Sequence, residues 1–327
     1  MKVERRRLIR ILLRRARILL HDEDVQPLRN IVTVRVVCAG LMLGAAVLAP
    51  ARGSSQTDAP PQLQAQLLGD GAPVVLLGGG LLGADGWGEV PRVLARTRRV
   101  LNLQSLAVQY GLENRSLPAG YSIQTEVDAL GRTLEALRAG EVDVIGMSHG
   151  GVVAIVFALQ NPQRVRTLTL IEPPAFWVLP NHGRDMEGAR EMQALLSSLH
   201  GRTIEEEHLE QFRCLLGDCI GGRSPRLLSQ WPQWVKYRNS LRGLYTVGDY
   251  DDDPTRLRRL RMPALIVTGA QTAAFHRKIN ETLLRALPRA EPLELKAGHN
   301  SPTADPVHFV EEWQTFQKRS GPPTRTR

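Results

Sequence analysis

Val142-Asp143-Val144-Ile145 runs into Gly146-Met147-Ser148-His149-Gly150, and Val152-Val153-Ala154-Ile155-Val156-Phe157-Ala158-Leu159 follows almost at once. The first segment reads as a short buried strand and the last as a buried helix, with a G-x-S-x-G sequence between them. A chain that changes from strand to helix in so few residues must turn sharply. Glycine at 146 and 150 removes the side chains that would collide in that turn. The turn lifts the Ser148 hydroxyl above the end of the strand and aims the backbone N–H of His149 at the same space. In a loop such a sequence is weak evidence of anything, but in this context it is specific.

The alternation continues on either side. Val74-Val75-Leu76-Leu77 reads as a buried strand ending in Gly78-Gly79-Gly80, and Arg99-Val100-Leu101-Asn102-Leu103 as a second. Ser122 is a suitable N-cap for a helix with Val127, Leu130, Leu134 and Leu137 on one face. Residues 165–171, 263–267 and 292–295 supply further strands. Strands alternating with helices predict an α/β fold, a mostly parallel sheet with helices on both faces. No internal repeat interrupts it. Over 173–256 the pattern changes to helices and loops, which reads as a helical cap inserted into a core of 64–172 and 257–317. Eight of the sixteen aromatic residues fall in this cap, about twice its share by length. That suits an apolar lid over a pocket, and equally a helical layer filling a core of its own.

The 327 residues, 43% hydrophobic and 23% charged, are those of an ordinary globular protein with a sizeable core. The net charge of +9 belongs to the ends: residues 1–35 carry +6, residues 318–327 carry +4, and the body between carries −1. A nucleic-acid partner is therefore not expected, since the folded body offers no basic surface. No uncharged apolar run approaches the ~20 residues of a membrane span, which excludes a multi-pass membrane protein.

Residues 1–35 form a basic leader with Leu8, Ile11, Leu12, Ile18 and Leu19 at helical spacing, interrupted by Arg15. It reads as a membrane-surface helix or as a product of an upstream start codon. Residues 36–51 resemble a secretory signal: Arg35 precedes an apolar stretch that ends in Ala49-Pro50-Ala51, a small-x-small cleavage pattern. The expectation is export to the periplasm or medium, or membrane anchorage, with the cytoplasm as alternative. Residues 52–63 read as a linker and 318–327 as a basic disordered tail. Cys38 would leave with the signal. Cys214 and Cys219 then remain, either as a disulfide in an oxidising compartment or as two reduced, buried thiols. No second close pair of Cys or His accompanies them, so zinc is not expected.

A serine hydroxyl needs a neighbouring base to take its proton. Of eight histidines, His21 lies in the leader, His149 adjoins the serine, and His182, His200 and His208 lie in the cap. His276 and His308 have helical or loop contexts. His299 alone directly follows a strand, late in the chain, and is taken as the base.

From about Gln64 to Gln317 the chain resembles the α/β-hydrolase family. The resemblance rests on the glycine-rich turn after the first core strand, the spacing to Trp87, the G-x-S-x-G elbow, the cap and the late Gly298-His299. It implies Ser148 as nucleophile, His299 as base, and an oxyanion hole made by the N–H groups of Gly80 and His149. Two positions depart from the pattern. The turn usually begins His-Gly, and here it begins Gly78-Gly79. The acid usually follows the strand ending Val267-Thr268-Gly269, yet Ala270-Gln271-Thr272 offers no carboxylate. Glu172, at the end of the strand after the elbow helix, is the replacement expected, with Asp251, Asp252 and Asp253 a distant choice.

These residues imply a serine hydrolase acting through an acyl-enzyme on a small apolar ester or related acyl substrate, with no metal or organic cofactor. Carbon–carbon hydrolysis and haloperoxidase-type chemistry use the same triad. Serine at 148 argues against halide or epoxide opening, where the nucleophile is Asp. Two other classes compete: a hydrolase-fold protein that only binds a ligand, and a dinucleotide oxidoreductase using Gly78-Gly79-Gly80-Leu81-Leu82-Gly83. The latter needs an acid about twenty residues on, where Asn102 and Gln104 stand. Oligomeric state is left open.

Overall fold

The computed structural model describes residues 60–320. The basic leader, the signal-like segment, residues 52–59 of the linker and residues 321–327 of the tail lie outside the described residues. Seven strands form one sheet: β1 (Gln64–Leu68), β2 (Pro73–Leu77), β3 (Arg99–Gln104), β4 (Val142–Met147), β5 (Val165–Ile171), β6 (Ala264–Gly269) and β7 (Ala290–Leu295). Their spatial order is β1-β3-β2-β4-β5-β6-β7, with β1 antiparallel to β3 and every other pair parallel.

Helices α1 (Val90–Leu94), α2 (Leu106–Leu112), α3 (Ile123–Ala136) and α4 (His149–Gln160) follow the first strands. Between β5 and β6 lie α5 (Ala189–Ser198), α6 (Glu206–Leu215), α7 (Trp231–Tyr237) and α8 (Tyr245–Asp249), with no strand among them. Helices α9 (Ala274–Ala286), α10 (Ser301–Ala304) and α11 (Pro306–Ser320) complete the described residues.

Successive strand residues face opposite sides of a sheet, so the sheet divides the core in two. Val75, Leu77, Val144 and Leu168 pack with α3, α4 and the helices inserted after β5. Val74, Leu76, Ile145 and Val267 pack with Trp87, α1 and the Phe309, Trp313 and Phe316 side of α11. Both faces being covered is the condition a parallel sheet imposes, and it explains the near-continuous apolar runs of β2 and β4.

The strand order reverses between β2 and β4. The loop after β2 therefore leaves on one side and the loop after β4 turns to the other, opening a crevice at the carboxyl ends of the strands. The glycine turn and Ser148 stand at this point.

Strand β1 and helix α2 carry little sequence signal, and a third element runs past its expected end. Strand β1 is a short, half-exposed edge, and its polar side chains face water. Helix α2 is only seven residues long. Helix α11 runs to Ser320 and takes Lys318 and Arg319 from the expected tail into its last turn, where cations suit the helix dipole.

The elbow is intolerant of bulk at its glycines. A β-carbon on Gly146 would stand 2.6 Å from the Gly150 carbonyl oxygen, whereas one on Gly131 of α3 meets nothing within 4 Å. Gly146→Ala is expected to lower stability by about 1–3 kcal/mol through overpacking. Gly131→Ala is expected to raise it by about 0.5–1 kcal/mol, because alanine loses less backbone freedom in a helix. Urea unfolding of the two variants beside the wild type checks both signs.

Candidate active site

Ser148 sits at φ 52° and ψ −124°, a conformation that side-chain-bearing residues rarely adopt. Two backbone bonds hold it there. The Ser148 N–H donates to the Ile171 carbonyl at 2.8 Å, and the Gly150 N–H donates to the Gly78 carbonyl at 3.1 Å. The second bond ties the elbow to the glycine turn after β2.

That turn folds back on itself, the Gly83 N–H donating to the Gly79 carbonyl at 2.8 Å. A β-carbon on Gly78 would lie 1.9 Å from the Gly83 carbonyl oxygen, which gives a steric reason for the absence of histidine there. At Gly79 a β-carbon would be 3.6 Å from the Ser148 β-carbon, so this turn passes directly beside the serine. Gly79, Gly80, Ser148, His299 and Asn300 line one hollow. The turn opens onto a short 3-10 segment, Ala84–Trp87, and lacks the long helix whose N-terminus a pyrophosphate would need. The dinucleotide alternative is thereby corrected.

Glu172, immediately after β5, has φ 45° and is fully buried. One carboxylate oxygen accepts the Gly269 N–H at 2.7 Å. The other accepts the Thr272 hydroxyl at 2.6 Å and lies 2.7 Å from Nδ1 of His299. Gly269 ends β6 and Thr272 lies in the loop after it, where the usual acid is missing, so Glu172 delivers its carboxylate to that spot from the neighbouring strand. Burial pushes the carboxyl group up, but the hydrogen bond and charge of His299, with His276 and Thr272, outweigh it and hold the pKa at about 2. The carboxylate contact assigns the imidazole proton to Nδ1 and leaves Nε2 as the basic nitrogen.

His276, set aside in the sequence for its helical context, belongs to this cluster. It lies in the first turn of α9, 1% exposed, its ring centroid 4.5 Å from that of His299 and 4.2 Å from that of Phe275. Burial, then the neighbouring His299, lower its pKa to about 3, so it stays neutral. Donor atoms of Glu172, His276 and His299 lie within 4.8 Å of one another. The two rings are inclined by 30° to each other.

The remaining candidates lie elsewhere. The His149 ring is buried, and the residue also borders a small internal hollow with Ser105 and Glu126. Asp251 faces His182 at 3.3 Å, Asp252 pairs with Arg256 at 2.7 Å, and Asp253 accepts the Thr255 N–H at 2.9 Å. None of the three reaches His299. Cys214 and Cys219 are joined in a disulfide.

The helical segment between β5 and β6 contributes walls. Phe212, Arg213 and Leu216 border the hollow with Ser148. A second hollow shares Ser148, Phe212 and Leu216 and extends among Met192, Leu196, Leu244, Val247 and Phe275. Arg213 is the strongly basic residue among these walls, 5% exposed, paired with Asp218 and stacked 3.8 Å over the Trp234 ring. Nothing in the sequence singled it out, because an arginine on a helix of mixed polarity reads as a surface residue.

A family model for the alpha/beta hydrolase fold matches residues 72–303, and the chain belongs to that family. Among curated proteins, the 2-hydroxy-6-oxo-2,4-heptadienoate hydrolase of Pseudomonas putida is 36% identical over 107 residues, 32% of this chain and 38% of that protein. The chain thus matches well under half the length of that relative. The 2-hydroxy-6-oxononadienedioate/2-hydroxy-6-oxononatrienedioate hydrolase of Paraburkholderia xenovorans is 25% identical over 244 residues, 72% of this chain and 82% of that protein. Among solved structures, a thermophilic esterase from Thermogutta terrifontis superposes with a TM-score of 0.63 at 18% identity, covering 79% of this chain and 93% of that one. At that identity the likeness is one of fold.

His276 gives the cluster a pH signature. Its folded pKa of about 3 lies below the ordinary 6.5, so between these values the unfolded chain binds a proton that the folded chain refuses. Stability is expected to fall as pH drops through this window, by roughly 2–3 kcal/mol from pH 6.5 to 4.5 for this group. Urea midpoints of wild type and His276→Phe across that range test it, the variant showing the shallower slope.

Proposed function

We propose that the protein is a serine hydrolase that cleaves an ester or related acyl bond through Ser148, His299 and Glu172. The observation that carries this reading is the buried 2.7 Å contact between Glu172 and His299 Nδ1, on a histidine that shares a hollow with Ser148. An ionised Glu172 keeps the proton on Nδ1 and stabilises the imidazolium that forms when Nε2 takes the Ser148 proton. The serine oxygen attacks the carbonyl carbon, and the charge developing on the carbonyl oxygen is met by the N–H groups of Gly80 and His149. Each such donor is worth about 100–1,000-fold in rate. His299 then protonates the leaving group, and water releases the acyl-enzyme by the same relay. The helices between β5 and β6 act as the cap, their apolar side chains receiving the acyl portion. An acid–histidine arrangement of this kind supports turnover over ligand binding alone.

Arg213 favours a second reading of the substrate. A guanidinium beside an otherwise largely apolar hollow selects a molecule with an anionic group near the scissile bond. The relatives above are named for acting on carboxylate compounds, a dienoate and dioates. Carbon–carbon hydrolysis of such a compound uses the same serine, histidine and acid.

No helix of the described residues is long and apolar enough to cross a membrane. The signal-like residues 36–51 and the disulfide support export, with mature protein starting near Arg52. N-terminal sequencing of native protein tests this; an intact Met1 overturns it.

A fluorophosphonate probe should label the wild type and leave Ser148→Ala unlabelled, and the variant should lose turnover of p-nitrophenyl esters. Glu172→Gln should lower kcat by roughly 1,000–10,000-fold with the fold intact by circular dichroism. Near-wild-type turnover would assign the acid to another residue. Arg213→Met should raise KM for mono-p-nitrophenyl succinate about 10–100-fold while changing p-nitrophenyl butyrate little.

A further inference from the structure

Helix α6 brings Phe212 and Arg213 to the hollow and ends in a turn closed on itself. Cys214 and Cys219 are bonded, their Cα atoms 4.7 Å apart. Within the closure the Gly217 N–H donates to the Cys214 carbonyl at 2.9 Å, and the Asp218 N–H donates to the Arg213 carbonyl at 3.1 Å. The Asp218 carboxylate turns back to pair with the Arg213 guanidinium. The closed turn therefore pins an acid against the arginine that borders the site.

Arg213 depends on that partner. Its Nε is buried with no hydrogen-bond partner, and burial lowers the guanidinium pKa against the pull of Asp218. A buried cation that loses its carboxylate must move to water or neutralise, and arginine cannot readily do the second. The turn also approaches the loops around the base: a β-carbon on Gly217 or on Gly298 would each be 3.7 Å from the Gln271 carbonyl oxygen.

A closure this short removes less chain entropy from the unfolded state than a long one would, and its most direct consequence is on the turn itself. Both cysteines are half-buried and partly open to solvent. A small dithiol supplies two electrons and two protons through successive exchanges. It leaves as its own cyclic disulfide, and Cys214 and Cys219 become thiols.

We propose that Asp218 and the Cys214–Cys219 disulfide are positioning groups that hold Arg213 at the Ser148 hollow, so that recognition of an anionic substrate group requires the oxidised turn. This rests on the hydrolase reading above and on Arg213 as the cationic anchor for the substrate's anionic group. When the disulfide opens, Asp218 moves with the Gly217 turn and Arg213 follows it toward water. The hollow that remains is apolar and indifferent to charge.

The test compares mono-p-nitrophenyl succinate with neutral p-nitrophenyl butyrate. The full chain is assayed oxidised, and again after dithiothreitol treatment and desalting, with reduction verified by intact mass. KM for the succinate ester should rise about tenfold on reduction, with butyrate hydrolysis within about twofold. Reoxidation should restore it. Asp218→Asn and the Cys214→Ser, Cys219→Ser double variant should show the reduced behaviour without reductant, and the double variant should no longer respond to it. Intact butyrate activity in each variant certifies the fold. An unchanged succinate-to-butyrate ratio, or an equal fall for both esters, overturns the proposal. An oxidised wild type that cleaves neither ester overturns the hydrolase reading itself, which separates the two failures.

Discussion

A carboxylate sealed from water survives only if its surroundings supply what water did, and Glu172 is met on every side by donors. Gly269 gives a backbone N–H, Thr272 a hydroxyl and His299 its Nδ1 proton. The result is a group that stays ionised although its burial opposes ionisation. Much of the site follows from it. The end of β6 is held to the end of β5, the late histidine is fixed in one tautomer, and its other nitrogen is left free to act as a base. Breaking one member leaves the others buried and unsatisfied, the condition in which polar groups cost most.

The crevice that makes this useful comes from strand order. Because the sheet switches direction between β2 and β4, two loops diverge and leave room at the carboxyl ends of the strands. Gly80 leaves room for Leu244, and the elbow is tight enough that β-carbons on Gly146 and Gly150 would strike the carbonyl oxygens of Gly150 and Leu77. Ser148, at φ 52°, and Glu172, at φ 45°, are the two residues of this cluster held in the left-handed region.

Around this rigid base the helical insertion supplies a largely apolar wall with one cation in it. Arg213 borders the hollow, paired with Asp218 and stacked over the face of Trp234. Under the proposed reading, substrate choice resides in this insertion, while the bond-breaking groups reside in the loops of the sheet itself. This division lets the wall change without disturbing the Glu172–His299 cluster.

The strands from β2 onward, the α/β class and the elbow were legible in the sequence, because each is a pattern within a few neighbouring residues: apolar runs, a capping serine, glycines two positions either side of a serine. His299 emerged by elimination, and Glu172 by resemblance to other chains of this fold. Strand β1 left no signal because an exposed edge carries polar side chains. His276, Arg213 and the joined cysteines were decided by tertiary structure. Whether His276 lies against His299, or Arg213 faces a hollow instead of solvent, depends on how helices distant in the chain dock on the sheet. Local sequence governs backbone shape through short-range sterics and hydrogen bonding, whereas contact between side chains far apart in sequence exists only once the core has closed around them.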